Sequence, residues 1–158
     1  VGMGVRMSPV PRAVVEALYH ALSVRDMAAL ANVLDDDVVW TISGPVDILP
    51  FCGQRVGKYL VMKLLGRDSP TLWSRRRFVA TTMLVDGDRA SVLGRLTGTK
   101  RASGQAISYR IAHFIQFRDE KVIDYVSIID SFDAVEQLLG YNLDAYDGYR
   151  VEGNVVTV

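Results

Sequence analysis

The sequence predicts one α+β domain in which helices enclose a strongly curved, mixed or antiparallel sheet around a small apolar pocket. Three observations carry this expectation. Apolar residues recur at helical spacing early in the chain, the period shortens to that of strands after Gly66, and the strand-like runs are separated by turn signals. The 158 residues suit one core, and 49% hydrophobic with 23% charged residues is a globular composition.

Ser8 and Pro9 can open a first helix, with Pro11 tolerated in its first turn. Val14, Val15, Leu18 and Leu22 supply its apolar stripe. Asp26 is the expected N-cap of a second helix carrying Met27, Leu30 and Leu34, closed by Asp35-Asp36-Asp37. The β-branched and aromatic run Val38–Ile42 reads as a strand that Gly44-Pro45 breaks. A covering loop then runs to Gly53. A third helix is expected from Arg55 or Val56 to Leu65, with Gly66 ending it.

The second half reads as strands. Arg76–Val85 and Arg89–Thr97 flank the hairpin signal Asp86-Gly87-Asp88. Gly98–Gly104 is a polar turn region, and Ile107–Phe117 is a long strand. Arg118–Lys121 makes a tight turn before the strand Val122–Ile129, and a last helix spans Asp133–Leu139. Residues 1–10 are expected as an N-terminal extension, 11–140 as the domain, and 141–158 as a tail with a weak strand at Val155–Val158.

Composition narrows the function classes. Eighteen basic and eighteen acidic residues cancel, which argues against nonspecific nucleic-acid binding. Cys52 is the single cysteine, so an intramolecular disulfide and a multi-thiolate zinc site are both excluded. The two histidines have no metal-site spacing, and Gly53–Lys58 is neither a phosphate loop nor a dinucleotide fingerprint. No apolar run reaches the roughly 20 residues of a membrane span. The expectation is a cytoplasmic protein without cofactor, metal, nucleic-acid or membrane partner.

Three passages, LSVRDMAALANVLDDDVVW, LPFCGQRVGKYLV and HFIQFRDEKVIDYVSIIDSFDAVEQLLG, resemble the nuclear transport factor 2-like superfamily, particularly its SnoaL-like branch. The resemblance runs from Val14 to Gly140. It implies a cone-shaped α+β barrel of cystatin-like type with a hydrophobic cavity, often a homodimer. The expected function is binding a small apolar molecule with a polar handle, with acid/base isomerisation, cyclisation or hydrolysis as its chemistry; the alternatives are a noncatalytic binding domain and a protein-interaction or structural dimer. The superfamily holds isomerases, cyclases, hydrolases and noncatalytic proteins, so fold membership leaves the chemistry open.

Set against the ketosteroid isomerase pattern, the helix-1 tyrosine falls at Leu18 beside Tyr19. The base falls near Ile42, and the second acid at Ala112 beside His113. Both carboxylates are missing. Against the epoxide hydrolase pattern Arg110 and Asp130 match, whereas Ala112, Trp40 and Ile42 replace an aspartate, a tyrosine and an asparagine. The cyclase-like pattern asks for a late carboxylate, which Asp130 supplies, and sometimes a histidine, for which His113 stands.

Asp130 is thus either an N-cap of the last helix or a partly buried carboxylate with a raised pKa doing acid/base work. Arg110 either pairs with Asp130, forms an interfacial salt bridge, or binds a ligand oxygen with its fork of donors. His113 is a structural histidine or part of the acid/base set. Trp40, Tyr59, Phe114 and Tyr125 are the expected cavity walls. Strand alternation puts His113 opposite Arg110, Ala112 and Phe114. It gives Asp130 the parity of His113 unless the hairpin contains a bulge.

Overall fold

The computed structural model describes residues 8–140. The expected tail, with its weak strand, lies outside the described residues. The helices α1 (Arg12–Val24) and α2 (Met27–Val33) lead into β1 (Leu34–Ser43) and the short β2 (Gly53–Val56). A helical stretch follows, from α3 (Lys58–Lys63) through a π turn at Leu64–Asp68 to α4 (Ser69–Leu72). Four long strands come next: β3 (Trp73–Asp86), β4 (Arg89–Lys100), β5 (Ala106–Arg118) and β6 (Lys121–Ile129). The helix α5 (Ser131–Leu139) closes the order.

The six strands form one sheet in the order β2-β1-β6-β5-β4-β3. All neighbours are antiparallel except β1 and β6, which run parallel, so the sheet is mixed. Register shifts at Trp73/Arg75 and Ala80/Thr82 interrupt the β3–β4 ladder, and such bulges add local bend and twist. At that bend Gly94 is required: a Cβ there would lie 2.4 Å from the Val79 carbonyl oxygen and 2.5 Å from the Phe78 ring.

Local chemistry explains most boundaries. Helix α1 begins directly after Pro11, whose fixed φ suits a helix start. The Asp26 side chain accepts the Ala29 N–H at 3.0 Å and caps α2. Three expectations need correction. The acidic triplet does not close α2 but lies in β1, where Asp36 and Asp37 are exposed and Asp35 pairs with Arg118 at 3.0 Å. Arg55 and Val56 pair with Trp40 and Val39 as β2, so the third helix starts at Lys58. Nor does Gly66 end that helix: it sits inside the π turn, where a Cβ would meet the Met27 methyl at 2.9 Å.

Two buried clusters build the core. Val15, Leu18 and Ala21 of α1 pack with Val38, Trp40, Ile115, Phe117 and Tyr125. Leu49 and Cys52 of the covering loop pack with Trp73, Tyr109, Ile111 and Ile129, and with Ala134 and Val135 of α5. Both clusters lie on the concave side of the sheet, and space remains at their seam.

Candidate functional site

That space is a cavity of about 160 Å³. Strand alternation decides who faces it. On β5 the odd positions Tyr109, Ile111 and His113 point inward, as do Tyr125, Ser127 and Ile129 on β6. On β3 the inward set at this level is Arg76, Phe78 and Ala80. Tyr19, Leu22 and Ser23 share one face of α1, at helical spacing, and close the cavity from above. The walls are largely aromatic.

The polar groups are few and connected. The Tyr19 hydroxyl lies 2.6 Å from His113 Nδ1, and Tyr19 also shares a hydrogen bond with Tyr125. These three side chains bring one N–H and two O–H protons and use two of them on each other. One donor is therefore left for a ligand in either tautomer of the imidazole. The rings pack together as well: His113 lies 5.0 Å from Tyr125 and 4.9 Å from Phe78 between centroids. Trp40 stacks flat on Tyr125 at 3.6 Å, and its Nε1 is the buried side-chain donor with no partner among the described residues.

Electrostatics keeps this group uncharged. Burial, and secondarily the Arg76 guanidinium, pushes the His113 pKa down to about 3. Burial raises the phenols of Tyr19 and Tyr125 far above their usual value, and that of Tyr109 to about 12. Among the described residues Arg76 is the one charged side chain in the lining, and it donates to the Ser69 hydroxyl at 2.9 Å. It retains accessible surface where it borders open space. Desolvation nevertheless lowers its pKa, with Arg25 acting in the same direction. Among the described residues no aspartate or glutamate lines the cavity.

Of the expected site residues, Trp40, Tyr125 and His113 stand in the cavity wall. Tyr59 and Phe114 do not: they are 78% and 48% exposed, on α3 and on the outer face of the sheet. Arg110 and Asp130 are also outside the lining. They form a 3.8 Å ion pair with side chains 72% and 36% exposed. The physical reason is a bulge. Asp119 and Glu120 both adopt positive φ in the hairpin turn, and the register then slips between Gln116 and Phe117. The slip brings Asp130 opposite Arg110, where its N–H donates to the Arg110 carbonyl at 3.0 Å. Both side chains thereby take the face away from His113. Asp130 occupies the N-cap position of α5, although its side chain makes no capping bond.

Sequence reasoning missed Tyr19 and Arg76. Tyr19 shares its helix face with Leu22 and Ser23, and Arg76 has the strand parity of Phe78. Those two periodicities were the available signals.

Comparison with known proteins agrees with this architecture. The family model of the SnoaL-like domain matches residues 15–125. A candidate isomerase from Rhodopseudomonas palustris is 33% identical in its crystal structure, covering 80% of this chain and 93% of that one, with a TM-score of 0.70. An NTF2-like protein from Burkholderia pseudomallei is 23% identical over 80% and 95% of the two chains, with a TM-score of 0.70. An epoxide hydrolase of LEH-like type from M. tuberculosis is 18% identical over 81% and 88%, at a TM-score of 0.65. No curated protein matches the sequence.

Proposed function

The chain belongs to the SnoaL-like domain family, and from that premise we propose that its cavity binds a small, largely apolar molecule through one carbonyl or hydroxyl oxygen. The observation that carries this reading is the buried Tyr19–His113–Tyr125 relay, which ends in an unspent donor inside an aromatic enclosure. An apolar body gains from the walls, and its oxygen satisfies a donor that burial would otherwise leave costly.

The site is built for binding and polarising an oxygen rather than for removing a proton. A general base works best with a pKa near the operating pH, and His113 is held to about 3. No carboxylate among the described residues lines the cavity, and Asp130 sits on the other side of the sheet. Tyr19 and His113 stand one residue beyond Leu18 and Ala112, the positions at which the isomerase resemblance sought its oxyanion-binding pair. Hydrophobic Trp40 and Ile42 occupy the wall near which that pattern sought a base. Isomerisation, cyclisation or hydrolysis here would draw its base from the substrate. The 33% identity to a candidate isomerase favours that second reading.

A paired titration separates the polar claim from simple apolar filling. Cyclohexanone and methylenecyclohexane have the same ring, and one lacks the oxygen. Trp40 and Trp73 in the wall provide a fluorescence signal. The ketone is expected to bind roughly fivefold tighter, as one net hydrogen bond implies, and Tyr19→Phe, which frees the His113 and Tyr125 donors, should keep that preference. Equal binding of the two by the unaltered protein contradicts the reading.

The expected homodimer has a matching surface. Leu93, Phe114 and Ile128 are exposed together on the outer face of the sheet, in the register Leu93–Ala112–Ile128. Sedimentation should show a dimer that Leu93→Asp dissociates. A monomer in the unaltered protein would remove this part of the reading.

A further inference from the structure

Beside the aromatic cavity lies a second space of about 100 Å³ with a different character. Leu22, Ser23, Leu65, Ser69, Trp73 and Arg76 line both, so the two spaces adjoin at these side chains. The second space adds Arg25 and Ser74. Two guanidinium groups and the hydroxyls of Ser23, Ser69 and Ser74 therefore surround it. Among the described residues no aspartate or glutamate lines it, and no ion pair involves Arg25 or Arg76.

The protein invests structure in this arrangement. Arg25 holds a left-handed conformation at φ 57, a position usually given to glycine, at the C-cap of α1. Its guanidinium makes only a long 3.5 Å contact with the Gly66 carbonyl. Arg76 is tethered to Ser69, on the helical stretch that separates α3 from β3. Two like charges that share one partly desolvated recess repel each other, and an anion placed between them removes that cost.

We propose that this recess is an anion subsite and that the natural ligand is an aryl or alicyclic monocarboxylate, its ring in the aromatic cavity and its carboxylate between Arg25 and Arg76. The inference rests on the ligand-binding reading above and adds the chemical class. Guanidinium forks match a carboxylate geometrically, and the Ser69 hydroxyl, which accepts from Arg76, keeps its own proton to donate. The cavity suits one ring, since an apolar cavity of about 150 Å³ admits benzene. The substituent then has a separate space of its own. A ligand with both parts meets the relay of Tyr19 and His113 on one side and the arginines on the other.

Calorimetric titration at pH 7 with 3-phenylpropionate and its neutral isostere 3-phenylpropanamide tests this. The acid is expected to bind roughly tenfold tighter than the amide, as a charge-assisted pair implies. Arg25→Gln and Arg76→Gln should each erase most of that preference while amide binding persists, which also shows that the variants fold. Arg110→Gln, on the outer face, should leave it unchanged. Equal affinities for acid and amide in the unaltered protein overturn the subsite and leave the cavity reading standing. A preference for the acid that survives both arginine variants overturns the subsite too. Failure of the folded protein to bind either compound overturns both readings.

Discussion

The Tyr19 phenol and the His113 imidazole, 94 positions apart in the sequence, meet at 2.6 Å between Oη and Nδ1. One comes from the first helix and the other from the centre of β5, so the bond ties the helical layer to the sheet at the cavity. Removing the hydroxyl leaves a buried ring nitrogen without its partner. Tyr19→Phe should therefore destabilise the fold by about 1–3 kcal/mol in chemical denaturation. An unchanged midpoint would show that the pair contributes nothing to the packing of α1.

His113 also makes stability depend on pH in a defined direction. Its folded-state pKa of about 3 lies below the ordinary 6.5, so the unfolded chain binds the proton that the folded chain refuses. The stabilisation is complete above pH 6.5 and is lost as pH falls from 6.5 toward 3. The slope is roughly 1.4 kcal/mol per pH unit in that window. Denaturation of the unaltered protein and of His113→Gln between pH 7 and pH 5 isolates the effect. The stability difference should shrink as pH falls, and a constant difference would contradict it.

Gly94 marks where the sheet bends beneath the cavity. A methyl there meets the Val79 carbonyl oxygen at 2.4 Å, and backbone cannot step aside as a flexible side chain can. Gly94→Ala should cost about 1–3 kcal/mol as an overpacking change, and it should displace Phe78 from the wall. Thermal denaturation together with binding of a cavity ligand reads both effects. Full stability and full affinity in that variant would mean that the bend is not constrained there.

Asp130→Asn is expected to do little. The Arg110–Asp130 pair is long and mostly solvated, and such pairs are worth about 0.5 kcal/mol or less. Cavity binding should be unaffected, because neither side chain lines the cavity. Loss of ligand binding in this variant would return Asp130 to the site.

The sequence made the fold legible, and half of the site. Helical spacing in α1, the Asp26 cap and the alternation of β5 come directly from local chemistry. The direction of the cavity did not. Both faces of β5 carry apolar residues, and Phe114 on the outer face looks as suitable for a wall as Tyr109 on the inner one. The one-residue slip near Ile123 depends on two non-glycine residues taking positive φ in a turn, which composition does not announce. Arg76 was concealed in a run of three arginines that reads as a solvated surface. Only its parity with Phe78 and Ala80 separates it from Arg75 and Arg77. The helix beyond Gly66 is a tertiary effect, since that glycine makes room for Met27 rather than ending the helix.

On the proposed reading the cavity takes a ring and receives its oxygen at the tyrosine–histidine relay. Crystals soaked in 4-bromophenol test it most directly, because bromine can be located by its anomalous scattering. A bromine peak is expected among the aromatic walls, with the phenol oxygen within hydrogen-bonding distance of Tyr19, His113 or Tyr125. Bromine bound only on the outer face of the sheet, with an unoccupied cavity, would contradict it.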